Sequence, residues 1–298
     1  MYHVAVLLKE SIEGIQIKPD GIYADITFGG GTHSAEILKS LSKNGKLIAI
    51  DCDPDAHNNK IEDKRFELIY GNYRYLVNYL EYMGINKIDG IIADFGVSSH
   101  QFDIESRGFS YRLGGKLDMR MNANQSLTAA EILNNYEEEK LVFVFKNYSD
   151  IINAKKLVSL IIDHRSNEQF ENIPDFLNVI SPATPAHNNY KYLAQVFQAL
   201  RIEVNDEYNS LIEFLNSCPE ILKRGGRISF ISYHSLEDRA VKNLIKTGNT
   251  EGKLEKDIFG KSFLPFKQIN KHVIIPTEEE IANNPRAKSA KLRIAERI

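Results

Sequence analysis

Gly21-Ile-Tyr-Ala-Asp25-Ile-Thr-Phe-Gly29-Gly30-Gly31-Thr32-His33, followed by Lys46-Leu-Ile-Ala-Ile-Asp51, decides the fold. A short apolar run from Ile22 to Ile26 reads as a strand, the glycines as a turn, and Lys46 to Ile50 as a second strand. Between them Ile37, Leu38 and Leu41 share one helix face, and Asn44-Gly45 supplies a left-handed cap expected to end that helix. The unit is βαβ, with the helix N-terminus above the glycines. Asp53-Pro54 reads as the N-cap and first residue of a further helix, and Phe66 to Tyr70 as a third strand. Ile88 to Ala93 is a continuous apolar run ending in Asp94, the pattern of a strand buried on both faces of a parallel sheet.

The alternation then stops. From Asp103 to Asp206 the patterns are helical: Thr128-Ala-Ala-Glu131 reads as a capping box, and Ala154, Leu157, Val158, Ile161 and Ile162 form one stripe. Strands resume at Arg227 to Ser232, Lys271 to Ile275 and Leu292 to Ile298, the last two read as an antiparallel pair. The expectation is an α/β, doubly wound, Rossmann-like sheet of the methyltransferase type, formed by residues 1–102 and 207–298 and interrupted by an inserted helical domain, 103–206. A chain of 298 residues with 43% hydrophobic side chains fills such a core. The early apolar run Val4 to Leu8 falls far short of the ~18 residues of a membrane span, and no small-residue cleavage site follows it. A cytoplasmic, membrane-free protein is therefore expected. Cys52 and Cys218 belong to no Cys-x-x-Cys pair, so neither a disulfide framework nor a cysteine-bound metal is expected. The formal net charge of −3 requires any polyanion to meet a local basic patch.

Chemistry is expected at strand ends. The glycine turn stands where doubly wound sheets bind nucleotide-like ligands, and the helix behind it offers free N–H groups to a carboxylate or a phosphate. Glycine turns also join strands to helices in proteins that bind nothing there. Asp51 follows Gly29 by about 20 residues, the spacing at which a carboxylate reaches a ribose diol. Asp53, directly before Pro54, is the better helix cap, which leaves Asp51 for a ligand. Asp94-Phe-Gly96-Val-Ser98-Ser99-His100-Gln101 leaves the fourth strand; Asp94 either orients an amino group or holds a loop through its own backbone. In Tyr233-His234-Ser235-Leu-Glu237-Asp238-Arg239, Ser235 and Asp238 read as N-cap and N3 of a helix. His234, at a strand end, is open to a structural or a catalytic reading. Arg286, Lys288, Lys291, Arg293 and Arg297 form a basic cluster that either contacts phosphate or coats an edge strand.

These stretches together resemble the bacterial 16S ribosomal RNA cytosine-N4 methyltransferases, the RsmH family formerly called MraW. The residues that carry the resemblance include His3-Val-Ala-Val-Leu-Leu, Thr27-Phe-Gly29 with His33-Ser34, Ala49-Ile-Asp51 and Asp94-Phe-Gly-Val-Ser-Ser99. Others are Arg107-Gly-Phe-Ser110, Leu117-Asp-Met-Arg-Met121, Phe197-Gln-Ala-Leu-Arg-Ile202, Ser232-Tyr-His-Ser-Leu-Glu-Asp-Arg239 and Asn284-Pro-Arg-Ala287. The resemblance implies methyl transfer from S-adenosylmethionine to the exocyclic N4 of a cytidine in the decoding region of 16S ribosomal RNA, within the small subunit. It places the donor-binding positions on Gly31, Thr32, His33, Asp51, Tyr73, Asp94 and Gln101. Asp94 is the expected catalytic residue; it or a nearby backbone carbonyl accepts a hydrogen bond from the cytosine amino group as positive charge builds on the nitrogen. The chain departs from the family at Gly30-Gly31-Thr32, where Arg-Gly-Gly is usual, at Tyr73, where phenylalanine is common, and at Lys191-Tyr-Leu-Ala-Gln195. The helical insertion, with Arg107, Arg112, Arg120, Lys155, Lys156 and Arg165, is the expected RNA platform. Two rival readings are a nicotinamide-dependent oxidoreductase, which shares the βαβ unit, and an RNA-binding ribosome-assembly factor without activity.

Overall fold

A computed structural model describes residues 5–256, 259–260, 262 and 264–298; His3 and Val4 of the first family motif lie outside them. The chain divides into two compact units, Met1–Gly96 with Asn209–Ile298, and Val97–Tyr208. The sequence places the same transitions at 102/103 and 206/207.

In the first unit the chain runs α1 (Leu8–Ile15), β1 (Ile22–Asp25), α2 (Thr32–Ser40), β2 (Lys46–Asp51), β3 (Phe66–Tyr70), α3 (Leu76–Tyr82) and β4 (Ile88–Asp94). The second unit holds α4 (Ser99–Asp103), α5 (Ala129–Asn135), α6 (Glu138–Ser149), α7 (Ala154–Arg165), α8 (Ile173–Ile180) and α9 (Asn189–Val204). α10 (Glu207–Ile221) leads back to β5 (Leu222–Ser232), α11 (Ser235–Thr247), β6 (Phe266–Gln268), α12 (Glu278–Asn283) and β7 (Lys291–Arg297).

The strands form one sheet in the order β3-β2-β1-β4-β5-β7-β6, parallel except for β7, which runs antiparallel to both neighbours. The order reverses between β1 and β4, where Tyr23 pairs with Gly90 and Ala24 with Ile91. In open α/β sheets a crevice opens at such a switch point, outside the carboxyl ends of the strands. Alternation along β2 shows the double winding: Leu47 and Ala49 pack with Ile37 and Leu38 of α2, while Ile48 and Ile50 join Leu76 and Leu80 of α3 and Phe214 of α10. The second unit has its own core, centred on Phe145, Leu157, Phe176, Phe197 and Leu200.

Three local expectations are corrected. α2 ends at Ser40 with Leu41 extended, and Asn44-Gly45 belongs to a turn in which Gly45 N bonds Ser42 O, so no left-handed cap forms there. The partner of β7 is Phe266–Gln268, not 271–275; of the expected strand only Ile274 bridges to Leu292. The cap of α11 is His234, with Glu237 at N3, one residue before the Ser235 and Asp238 reading. The Thr128 cap is present, its side chain accepting from Glu131 N.

Candidate functional site

Three carboxylates stand at the carboxyl ends of neighbouring strands: Asp25 on β1, Asp51 on β2 and Asp94 on β4. Each is fixed by local bonds. Asp25 is 2% exposed; its Oδ2 accepts from Ser34 Oγ (2.7 Å) and its Oδ1 from Thr27 N (3.2 Å). It thereby ties β1 to the start of α2. Asp51 Oδ2 accepts from Gly29 N (2.8 Å) and Oδ1 from Asp53 N (2.8 Å). Asp94 Oδ1 accepts from the Tyr233 hydroxyl (2.8 Å), and Asp94 N donates to Thr27 Oγ1 (2.7 Å).

The turn between β1 and α2 needs its glycines. Gly29 has φ 51° and Gly31 φ 76°, and a Cβ at Gly31 would stand 2.8 Å from the Phe28 ring. Gly31 is the N-cap of α2 and brings no side-chain cap, and the first-turn N–H groups, starting with Thr32, form the positive end of the helix dipole. Asn59 Nδ2 braces the turn by donating to Gly29 O (3.0 Å). His33 is 7% exposed, and burial pushes its pKa down to about 4 against a backbone hydrogen bond to Val6, so the imidazole is neutral. Its Nε2 is buried without a hydrogen-bond partner among the described residues. Tyr73 follows the Asn72 cap of a short turn, and its ring is held by Phe214 (5.6 Å, edge-on) and Phe95 (6.1 Å).

Burial raises all three carboxylates. Asp25 is pushed up to about 6, opposed by Ser34 and Thr27, and Asp51 to about 6, opposed by the Asp53 and Gly29 N–H groups. Asp94 reaches about 7, because burial and the charges of Asp25, Glu237 and Glu280 outweigh the Tyr233 hydrogen bond. The same burial, with Asp94 beside it, pushes the Tyr233 phenol well above its usual value, so it stays a donor. The cluster is therefore an anionic cradle waiting for positive charge or hydroxyl donors. Among the described residues no His, Cys, Asp and Glu group has the arrangement to hold a metal.

The cradle makes ligand binding pH-dependent with a definite sign. Folded pKa values near 6 to 7, above the ordinary 3.8, mean these groups favour folding most at low pH. That contribution is lost as pH rises through about 6 to 7. A cationic ligand reverses the shift, so its affinity should rise over the same window, by up to about tenfold per pH unit for each proton released. Calorimetry with the donor that the sequence resemblance implies, S-adenosylmethionine, in two buffers of different ionisation enthalpy checks this, with net proton release expected near pH 6.5. Binding with no proton exchange would mean the carboxylates do not meet the cationic part of the ligand.

The structure brings Gly31, Thr32, His33, Asp51, Tyr73 and Asp94 to the carboxyl edge of one sheet. Gln101 belongs to the other unit, where it is buried in a capping box, its Oε1 accepting from Ser98 N (3.0 Å). Asp51 is not free of structural work, as its two backbone hydrogen bonds show. Asp25 and Tyr233 were not singled out from sequence. Asp25 carried the same strand-end signal as Asp51 and Asp94, whereas nothing in the sequence paired Tyr233 with Asp94. His234 caps α11, its Nδ1 3.5 Å from Glu237 N, while Glu237 Oε2 accepts from Tyr233 N (2.8 Å).

A doubly wound sheet with an antiparallel seventh strand, a glycine turn and strand-end carboxylates defines a methyltransferase-type site. The chain belongs to the MraW methylase family, whose sequence pattern matches residues 1–298, and its cofactor is S-adenosylmethionine. It is 53% identical over 298 residues to Ribosomal RNA small subunit methyltransferase H of Parabacteroides distasonis, covering 100% of this chain and 98% of that one. It is 54% identical over 297 residues to the protein of the same name from Christiangramia forsetii, again covering 100% and 98%. The oxidoreductase reading falls with this membership.

Proposed function

We propose that the protein transfers a methyl group from S-adenosylmethionine to the exocyclic N4 of a cytidine in the decoding region of 16S ribosomal RNA, acting in the cytoplasm on the small subunit or its RNA. The observation that carries the reading is Asp94, a carboxylate at the switch-point end of β4 whose Oδ1 is held by Tyr233 and whose pKa is pushed up to about 7. The names and full-length coverage of the relatives support the small-subunit RNA substrate.

The residues present fit the cofactor. Asp51 keeps lone pairs for ribose hydroxyls beyond its two backbone bonds, the α2 N-terminus suits a carboxylate, and the unpartnered His33 Nε2 offers a further polar contact. Tyr73, braced by Phe95 and Phe214, presents a fixed ring edge to a purine. S-adenosylmethionine supplies a methyl group already activated by its sulfonium.

The chain must then orient a weak nucleophile. A cytosine amino nitrogen has its lone pair delocalised into the ring, so alignment supplies most of the rate, of order 7 kcal/mol or more. Asp94 Oδ1 is occupied by Tyr233, which leaves Oδ2 to accept a hydrogen bond from the amino group. As the N–C bond formed and the donor's S–CH3 bond broke, its sulfur leaving as a neutral thioether, positive charge would grow on N4 and one of its protons would pass to Asp94. A carboxylate with a pKa of about 7 is matched to that task at neutral pH.

The helical unit would grip RNA with fewer of its basic residues than the sequence suggests. Arg107, Arg120 and Arg165 spend their guanidiniums on backbone carbonyls, Arg120 also on Asp118, and Lys156 donates to Pro182 O. Arg112 instead lies over the rings of Tyr111 (5.7 Å) and Tyr190 (5.8 Å), and Tyr190 is 65% exposed. Cations and exposed aromatic rings together suit the stacking of unpaired bases.

The test is transfer of labelled methyl to small-subunit particles and to free 16S RNA, with the product nucleoside identified. N4-methylated cytidine is expected. Donor binding without transfer to either would favour an assembly factor.

A further inference from the structure

We propose that the cavity between α12, the turn Pro285–Ser289 and the start of β7 holds the nucleotide adjoining the target cytidine, with its phosphate on Lys288 and Lys291. This rests on the reading of the protein as an RNA methyltransferase. The cavity measures about 330 Å³, at the small end of the ~300–1,000 Å³ range of ligand pockets. Ile275, Pro276 and Ile281 form an apolar wall, and Lys288, Ser289 and Lys291 form the polar one. Such a division suits a nucleotide, with a base on one side and a phosphate on the other.

Two further observations place the occupant. Lys288 is exposed and has no ion-pair partner among the described residues, whereas Arg293 is taken by Asp238 (2.7 Å) and Arg297 by the carbonyls of Pro219 and Pro265. Lys291 is shared, 3.6 Å from Asp238 and 45% exposed. Of Lys288, Lys291, Arg293 and Arg297, then, the two lysines at the cavity keep charge for a phosphate. Secondly, Tyr233 lines the cavity and its hydroxyl bonds Asp94. One tyrosine ring separates the cavity from the carboxylate that orients the target amino group. That separation suits a neighbouring nucleotide better than the target itself, and Ile275, 62% exposed, leaves its side chain available to such an occupant.

The experiment compares the full-length protein with Lys288→Ala and Ser289→Trp, using a fluorescent single-stranded RNA oligonucleotide of the decoding-region sequence at two or more salt concentrations. Lys288→Ala should weaken binding about fivefold or more and reduce the slope of log Kd against log salt by about 0.7, the value for one phosphate contact on a single strand. Ser289→Trp, which fills the cavity from an exposed position, should weaken binding with the slope unchanged. S-adenosylmethionine affinity and melting temperature should be those of the wild type in both. Wild-type RNA affinity and slope in both variants would overturn the inference, as would loss of self-association in Ser289→Trp with RNA binding intact, which would make the cavity a contact between copies. Failure of the wild type itself to methylate small-subunit RNA would instead overturn the functional reading, and this inference with it.

Discussion

Asp94→Asn is expected to slow methyl transfer at saturating donor by about 10²-fold, a larger effect than on S-adenosylmethionine affinity, which loses only Asp94's share of the anionic cradle. The substitution is nearly isosteric, and the amide oxygen can still accept the Tyr233 hydroxyl that Asp94 Oδ1 accepts at 2.8 Å. What is lost is the negative charge, and with it the capacity to take a proton from N4. Charge matters most when the nitrogen becomes cationic, so the loss falls on the chemical step. Single-turnover kinetics across pH give a second readout. The wild-type rate should rise with pH and level off above the Asp94 pKa of about 7, and the Asn variant should lack that acid limb. A variant that loses donor affinity and keeps its single-turnover rate would make Asp94 a binding residue only.

The parts of this site that were legible in the sequence are those fixed by the chain itself. Apolar runs of strand length ending in aspartate marked β2 and β4, and the pleat of a parallel sheet then put Asp51 and Asp94 at one edge. Glycines at 29 and 31 were legible because the turn demands positive φ there. Illegible were the choices settled by tertiary partners. The apolar residues from 273 to 275 read as a strand by composition, yet β7 takes its hydrogen bonds from Phe266–Gln268 and leaves Ile275 to line a cavity. Arginines carry no sign in sequence of whether they face solvent or a carbonyl; Arg165, bonded to Leu133 O and Tyr136 O, closes helix ends and is not available to RNA. Nor does the adjacency of two caps in Tyr233-His234-Ser235 reveal which one the helix uses. Only the approach of Glu237 to the His234 and Tyr233 N–H groups decides it.

The same distinction separates two aspartates that sit two residues apart. Asp53 is an ordinary cap: its Oδ1 accepts from Asp55 N at 3.0 Å, and Asp53→Ala should cost about 1 kcal/mol of stability and little donor affinity. Asp51 holds the glycine turn and the next segment at once, through Gly29 N and Asp53 N. Asp51→Ala should therefore lower stability by ~1–3 kcal/mol, since two N–H groups lose a charged acceptor. It should also lower S-adenosylmethionine affinity by roughly 10- to 150-fold, from ~1.5–3 kcal/mol of lost ribose hydrogen bonds. Asp51→Asn separates the two effects. Its amide oxygen can still accept from one backbone N–H, so the melting temperature should recover most of the way. The ribose hydroxyls then face a neutral group whose NH₂ cannot accept, so affinity should stay close to that of the Ala variant. Calorimetry and thermal melting on the wild type and the three variants check this. Recovery of affinity in step with melting temperature would show that Asp51 acts only by holding the turn, and that the ribose contact belongs elsewhere.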